Sequence, residues 1–312
     1  MKVLVTGGAG RLGRSVATVL HQAGHHAVSV DRVDHPDPAV DDVRLDLLDE
    51  DAVVSAFADL RPDAVVHLAA IAVPFSAPEL QILTTNTRLA QVVVDASLRA
   101  GARKVLAAGS PTVLGYGAPG GWTPRYLPLD EEHPTAPWNA YALSKQVVEG
   151  VVAMHARTAP EAVLGSFRPC FVVSPEEWAG APTQQGHTIA DRLRDPALAA
   201  VSLFNYVDAR DAGEFVLRWL EVADASISGE AFFVGAADAL AVLPTAQAVA
   251  GALPSAAGAA AHLPGTSAAF SCAKAERLLG WTPRRSWRGE LQGAPDLVGA
   301  RPGPVLTAGG PA

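Results

Sequence analysis

The chain has 312 residues, with 24 Lys and Arg against 32 Asp and Glu and a formal net charge of −8. That balance argues against a nucleic-acid binder, which needs a basic footprint to displace counterions from phosphates. Two cysteines, Cys170 and Cys272, supply neither a disulfide framework nor a Cys-rich zinc site, and no metal is expected. The length allows one large domain or two unequal lobes, in a reducing cytosol.

Met1-Lys2 runs into Val3-Leu4-Val5 and then glycine-rich sequence, too short an apolar stretch for a secretory leader. Short apolar runs at 2–6, 26–31, 64–68, 104–108 and 163–168 alternate with helical patterns at 11–23, 51–60, 80–100 and 139–156. The alternation predicts βαβ units and an α/β fold, a doubly wound parallel sheet with strands buried on both faces. A first domain over 1–169 follows. After Pro169 the pattern loosens, because Pro175, Gly180, Pro182, Gly186 and Pro196 leave one short helix near 187–193. A helix at 210–222, a strand at 231–234 and a helix at 273–279 complete a smaller lobe, 170–292. Residues 239–273 carry no charge, but Pro244, Pro254 and Pro264 interrupt an Ala- and Gly-rich run. That predicts short packed elements and a soluble protein rather than a membrane span. Residues 293–312, rich in Gly, Pro and Ala, predict a disordered tail.

The first strand runs directly into Gly7-Gly8-Ala9-Gly10-Arg11-Leu12-Gly13. Glycines at 7, 10 and 13 suit a tight strand-to-helix turn whose backbone N–H groups approach a pyrophosphate. A plain loop is the alternative for such a turn alone; its place between a first strand and a helix favours the dinucleotide reading. Asp31 ends the second strand, 18 residues beyond Gly13. A carboxylate at this spacing accepts from adenosine ribose hydroxyls and repels a 2′-phosphate, so NAD is favoured over NADP. The adjacent Arg32 could hold a phosphate. Asp46, before Leu47 at the end of the third strand, is a further candidate for the adenine edge.

Tyr141 and Lys145 stand four apart in a predicted helix, hence on one face. A positive charge beside a phenol lowers its pKa from about 10, which suits general acid–base work. Ser110 closes the fifth strand, at the carboxyl edge where such sheets bind ligands.

These residues and others in order resemble the extended short-chain dehydrogenase/reductases, in the NAD-dependent epimerase/dehydratase group. Besides 6–13, the matches are His67-Leu68-Ala69-Ala70; Gly109-Ser110-Pro111-Thr112-Val113-Leu114-Gly115, similar to the family's S-S-x-x-V-Y-G; residues 128–145; Phe167-Arg168-Pro169; Tyr206-Val207-Asp208; and Leu279-Gly280-Trp281-Thr282-Pro283, similar to L-G-W-x-P. The resemblance implies a Rossmann fold that binds NAD. Tyr141 would transfer the proton, Lys145 would lower its pKa and hold the nicotinamide ribose, and Ser110 would bond the reacting oxygen. Leu68, Ala69, Ala70 and Pro169 would lie along the cofactor, and Asn86 would support the site or merely start a helix. The family also implies a homodimer built on 80–100 and 139–156, where Val92, Val93, Val94, Val147, Val148, Val151 and Val152 exceed one core-facing stripe.

Departures narrow the reaction. Pro111 and Thr112 stand where the family's dehydratases carry an acidic pair, which argues against dehydration; Thr112 remains a candidate substrate contact. The segment between Pro175 and Tyr206 is shorter than in members acting on nucleotide-linked sugars. Arg192 and Arg210, with Arg194, could bind a substrate phosphate or form a solvated helix face. Leu114 replaces a tyrosine, with Tyr116 two places on. An insert at 117–126 bearing Trp122, Arg125 and Tyr126 either shapes the substrate site or is a surface loop with one anchoring aromatic. His133 and His187 are expected on exposed loops, and His67 in the core. The expected function is hydride transfer between NAD and a secondary alcohol or ketone of a sugar-like small molecule, by a dehydrogenase. An NAD-retaining epimerase is the alternative, and a non-catalytic dinucleotide sensor would be expected to lack the Tyr/Lys pair.

Overall fold

The apolar runs become parallel strands joined by helices. In the computed structural model, which describes residues 1–291, the first part of the chain runs β1 (Lys2–Thr6), α1 (Arg11–Gln22), β2 (His26–Asp31), β3 (Asp41–Arg44), α2 (Glu50–Leu60), β4 (Ala64–His67), α3 (Glu79–Arg99), β5 (Lys104–Ala108), α4 (Ala140–Thr158) and β6 (Val163–Pro169). There follow β7 (Val172–Val173), α5 (Pro175–Trp178), α6 (Ile189–Arg194), α7 (Pro196–Ala200), β8 (Val207–Asp208), α8 (Ala209–Val222), β9 (Ala231–Val234), α9 (Thr245–Ala252), α10 (Ala257–Ala260), α11 (Ala273–Leu279) and α12 (Trp287–Glu290).

Seven strands form one parallel sheet in the order β3-β2-β1-β4-β5-β6-β9. Successive strand residues face opposite sides. Val3, Val5 and Val66 pack with α1 and α8 in one apolar layer, while Leu4, Val65 and Val105 pack with α2, α3 and α4 in the other. The doubly wound expectation is met. The strand order turns back on itself at β1, whose neighbours β2 and β4 lead to opposite edges, so a crevice opens beyond the carboxyl ends of β1 and β4. Thr6 pairs with His67, and His67 with Ala107, which sets the strand ends in one row.

Element edges differ from the sequence expectation by one or two residues. β4 stops at His67, so Leu68 lies just past it, and β3 stops at Arg44, two residues before Asp46. The sheet runs across the expected boundary at Pro169: α8 packs on α1, and β9 adds the seventh strand beside β6. A separate apolar cluster gathers β7, α5, α6 and α12 around Val173, Trp178, Ile189, Tyr206 and Trp287. The uncharged run folds as short elements that bury Ala248, Val249, Ala256 and Ala260. Among the described residues no helix is long and apolar enough to cross a membrane. The tail expected at 293–312 lies outside the described residues.

Candidate active site

The crevice at β1 and β4 is lined by bare backbone. Gly7 has φ +71, in the left-handed region that favours glycine. A Cβ on it would stand 2.7 Å from Ala69 N, so the glycine turn and the segment after β4 touch only because Gly7 has no side chain. Gly10 caps α1 without a side-chain hydrogen bond, and no acidic residue occupies the first turn. The N–H groups there thus face outward without a carboxylate competing for them, the arrangement that takes a phosphate. Asp31 Oδ2 accepts from Ala9 N at 3.2 Å and Oδ1 from Arg32 N at 2.7 Å, which holds the carboxylate at the rim of the turn. Leu68, Ala69 and Ala70 are half-buried along the crevice. Arg32 and Asp46 are exposed, Asp46 accepting from Leu48 N at 3.0 Å, and Leu47 is buried. The Arg11 guanidinium pairs with Glu177 of α5 and Arg14 with Glu176 at 3.2 Å. Those side chains fasten α1 to α5, leaving the backbone of Arg11, Leu12 and Gly13 to a ligand.

Ser110, Tyr141 and Lys145 meet at the carboxyl end of β5. Asn139 caps α4 through Ala142 N at 2.8 Å, which fixes the first turn that carries Tyr141. The Tyr141 ring centre lies 5.9 Å from Lys145 Nζ, and Nζ donates to Ala108 O at 2.9 Å. Thr112 gives Ser110 Oγ two donors, its N at 3.3 Å and its Oγ1 at 2.9 Å. With its acceptor side filled, the Ser110 hydroxyl is free to donate, and as a donor beside Tyr141 it favours the phenolate. Thr112, read as a substrate contact, here orients Ser110.

The expected lowering of the Tyr141 pKa needs correction. Burial holds the phenol above its ordinary 10, and the opposing pull comes from Ser110, not from Lys145. The lysine is itself buried, which brings it down to about 8, and its Nζ is turned to Ala108 O.

Asn86 is buried in α3. Its amide accepts from Ile71 N at 2.8 Å and donates to Ser144 Oγ at 3.0 Å, and Ser144 donates to Tyr141 O at 2.7 Å. The asparagine therefore joins the loop after β4 to the helix bearing Tyr141. His67 is in the core as expected, within 2.8 Å of Thr6 Oγ1, and burial takes its pKa down to about 3, so it is neutral. His133 is not exposed: it is buried, accepts from Arg125 N at 3.1 Å and packs against Trp122 and Tyr126. The insert is anchored there, and Trp122 also meets Tyr116 edge-on. His187 is half-buried beside Arg192 Nη1 at 3.3 Å.

The structure does not join the arginines into one free anion site. Arg192 is fully buried, so it is no solvated face; its guanidinium stacks on Phe171 at 3.9 Å and donates to Gln185 Oε1 at 2.8 Å. Arg194 pairs with Asp191 at 3.2 Å, and Arg210 pairs with Asp208 at 2.5 Å and Glu290 at 2.8 Å. Pro169, half-buried, ends β6. Sequence reasoning gave no role to Glu149, which pairs with Arg168 at 2.8 Å, although the spacing of four between Lys145 and Glu149 was visible.

The sequence model of the NAD dependent epimerase/dehydratase family matches residues 3–235. The chain belongs to this family. The resemblance read from its motifs is thus borne out, and NAD is the family's cofactor. A UDP-glucose 4-epimerase of Azospirillum brasilense is 37% identical over 155 residues, 47% of this chain and 42% of that protein. The chain thus matches less than half the length of that relative. Two solved structures share the fold: an NAD-bound short-chain dehydrogenase/reductase superfamily protein of Agrobacterium tumefaciens, and a UDP-glucose-4-epimerase of Stenotrophomonas maltophila with NAD and formylated UDP-arabinopyranose. The first has a TM-score of 0.69 and 21% identity, over 95% of this chain and 97% of that one. The second also has 0.69, with 20% identity over 94% and 96%.

Proposed function

We propose that this chain is an NAD-dependent epimerase acting on a secondary alcohol of a sugar, with Ser110, Tyr141 and Lys145 as its reacting set. The meeting of those three side chains at the strand ends, beside a backbone cradle that a Cβ would fill, carries the reading. The cradle fits a dinucleotide: N–H groups of the α1 first turn would hold the pyrophosphate, Asp31 the adenosine ribose, and Lys145 the nicotinamide ribose. When bound, NAD supplies a hydride acceptor and donor. Tyr141 holds and moves the proton at the sugar oxygen through its phenol. Ser110, oriented by Thr112, donates to that oxygen and stabilises negative charge on it. Burial keeps Tyr141 protonated at neutral pH, so it meets a carbonyl as an acid.

The curated epimerase relative favours epimerisation. One observation favours the dehydrogenase reading: Arg192 and Arg210 are taken up by partners within the fold, which suits a substrate smaller than a nucleotide sugar. The two separate on one measurement. An epimerase carries NAD through purification and interconverts sugars without net NADH absorbance. Stoichiometric NADH release with each turnover would overturn epimerisation in favour of the dehydrogenase.

A homodimer through α3 and α4 is also proposed. Val92, Val93, Val94, Val148 and Val152 are spent inside the monomer. Leu80, Leu143, Val147 and Met154 remain exposed, the last three forming one stripe along α4. Met154→Glu is expected to shift sedimentation from dimer to monomer; a wild-type monomer would end this reading.

A further inference from the structure

A buried ammonium tends to lose its proton, yet a cofactor-binding lysine needs its charge. One turn beyond Lys145 on α4, and on the same face, stands Glu149. Its carboxylate takes Arg168 Nε and Nη2 in a fork, both at 2.8 Å, with the two side chains only 14% and 5% exposed. Arg168 comes from β6 and stacks over the Phe233 ring of β9 at 5.1 Å. Room for the carboxylate comes from Gly109, where a Cβ would lie 2.6 Å from Glu149 Oε1. The backbone before Ser110 is itself tied to β6, Gly109 N donating to Phe167 O at 2.7 Å. Glu149 is thus wedged between the serine-bearing turn and β6, one helical turn from Lys145.

The other titratable groups around the ammonium do not replace it. His67 on β4 is neutral, and Tyr141 on α4 keeps its proton. Arg168 lies behind Glu149 and carries the same sign as Lys145. Glu131, from the loop before α4, is turned to β9, where its carboxylate accepts from Phe233 N at 2.6 Å. Lys104 sits at the opposite end of β5, bonded to the Leu220 and Ala223 carbonyls. From α3 the neighbour is neutral Asn86, through Ser144.

We propose that Glu149, locked in place by Arg168, is a positioning residue that keeps Lys145 protonated and aimed at the strand ends at neutral pH. The proposal rests on the reading of Lys145 as a cofactor-binding cation. The charge balance is consistent with the geometry: burial pulls Lys145 down to about 8, and the Glu149 carboxylate opposes that pull.

NAD+ affinity measured by titration calorimetry from neutral to alkaline pH, without any sugar, tests this. In the wild type the affinity is expected to fall as the ammonium deprotonates near pH 8. Removing a carboxylate lowers a lysine pKa, so in Glu149→Gln the fall moves down by about one unit. Because that variant leaves Arg168 unpaired and can misfold, Glu149→Gln with Arg168→Met is measured beside it; the same downward shift is expected, with weaker binding near neutrality. Glu149→Asp, which keeps the charge, restores the midpoint towards the wild type. A folded double variant with the wild-type midpoint would reduce the pair to a structural ion pair and overturn the proposal. A flat wild-type profile would instead remove Lys145 from cofactor binding, and the proposal with it.

Discussion

Tyr141→Phe is expected to cut kcat by between about a hundredfold and ten-thousandfold while leaving NAD+ affinity nearly unchanged. The phenylalanine keeps the ring and its packing at the start of α4, so Asn139 and Ser144 retain their hydrogen bonds to the backbone and Asn86 its bond to the Ser144 hydroxyl. What it removes is the phenolic hydroxyl beside Ser110, the group that would pass a proton to a sugar oxygen. Because the phenol is buried and raised, the wild-type group is an acid at neutral pH. With NAD+ kept saturating, kcat in the oxidative direction is therefore expected to rise with pH as the phenolate forms. Turnover and cofactor binding, measured on the same preparations, separate chemistry from binding. If both fell together, Tyr141 would be a cofactor-site residue rather than the proton carrier, and if neither moved it would leave the mechanism.

Much of this site is local in sequence, which is why it could be read there. A glycine turn between a strand and a helix needs only seven consecutive residues, 7–13, and the Tyr141–Lys145 pair needs only the helical period. The alternation of strands and helices likewise yields the parallel sheet without knowledge of its packing. What escaped depends on burial or on partners far apart in the chain. Tyr141 was expected to be acidified by its neighbour, but desolvation, set by how α4 packs on the strand ends, outweighs that effect. His133 lies in a polar loop sequence, and only the fold brings Trp122 and Tyr126 over it. Arg192 was expected either to bind a substrate phosphate or to form a solvated helix face, whereas Phe171 and Gln185 close over it. The return of α8 and β9 to the sheet was hidden for a different reason. The irregular stretch before them looked like the start of a separate lobe, and sequence order does not say where a strand will pair.

Gly13→Ala is expected to abolish NAD+ binding, although Gly13 need not touch the cofactor. It lies in the first turn of α1, where alanine is ordinarily the better helix former. Propensity therefore predicts a gain, and sterics predict the reverse. A Cβ at this position would stand 2.1 Å from Gly7 O and 2.7 Å from Gly8 Cα. Both are backbone atoms of the same turn, so no side chain can swing aside. Either α1 must withdraw from β1 or the turn must open, and each displaces the N–H groups that would hold the pyrophosphate. Overpacking of this kind costs about 1–3 kcal/mol of stability, and a binding loss of only 1.4 kcal/mol is already tenfold in Kd. Gly10→Ala provides the contrast, since its Cβ would stand 3.1 Å from Gly7 O, a contact that a shift of a few tenths of an ångström relieves. The order of NAD+ affinity is thus wild type, then Gly10→Ala, then Gly13→Ala with none detected by calorimetry. The melting temperature should fall in the same order. Gly13→Ala protein that bound NAD+ as the wild type does would mean that the turn adjusts without loss, and that the contact between Gly13 and Gly7 does not hold the cradle in shape.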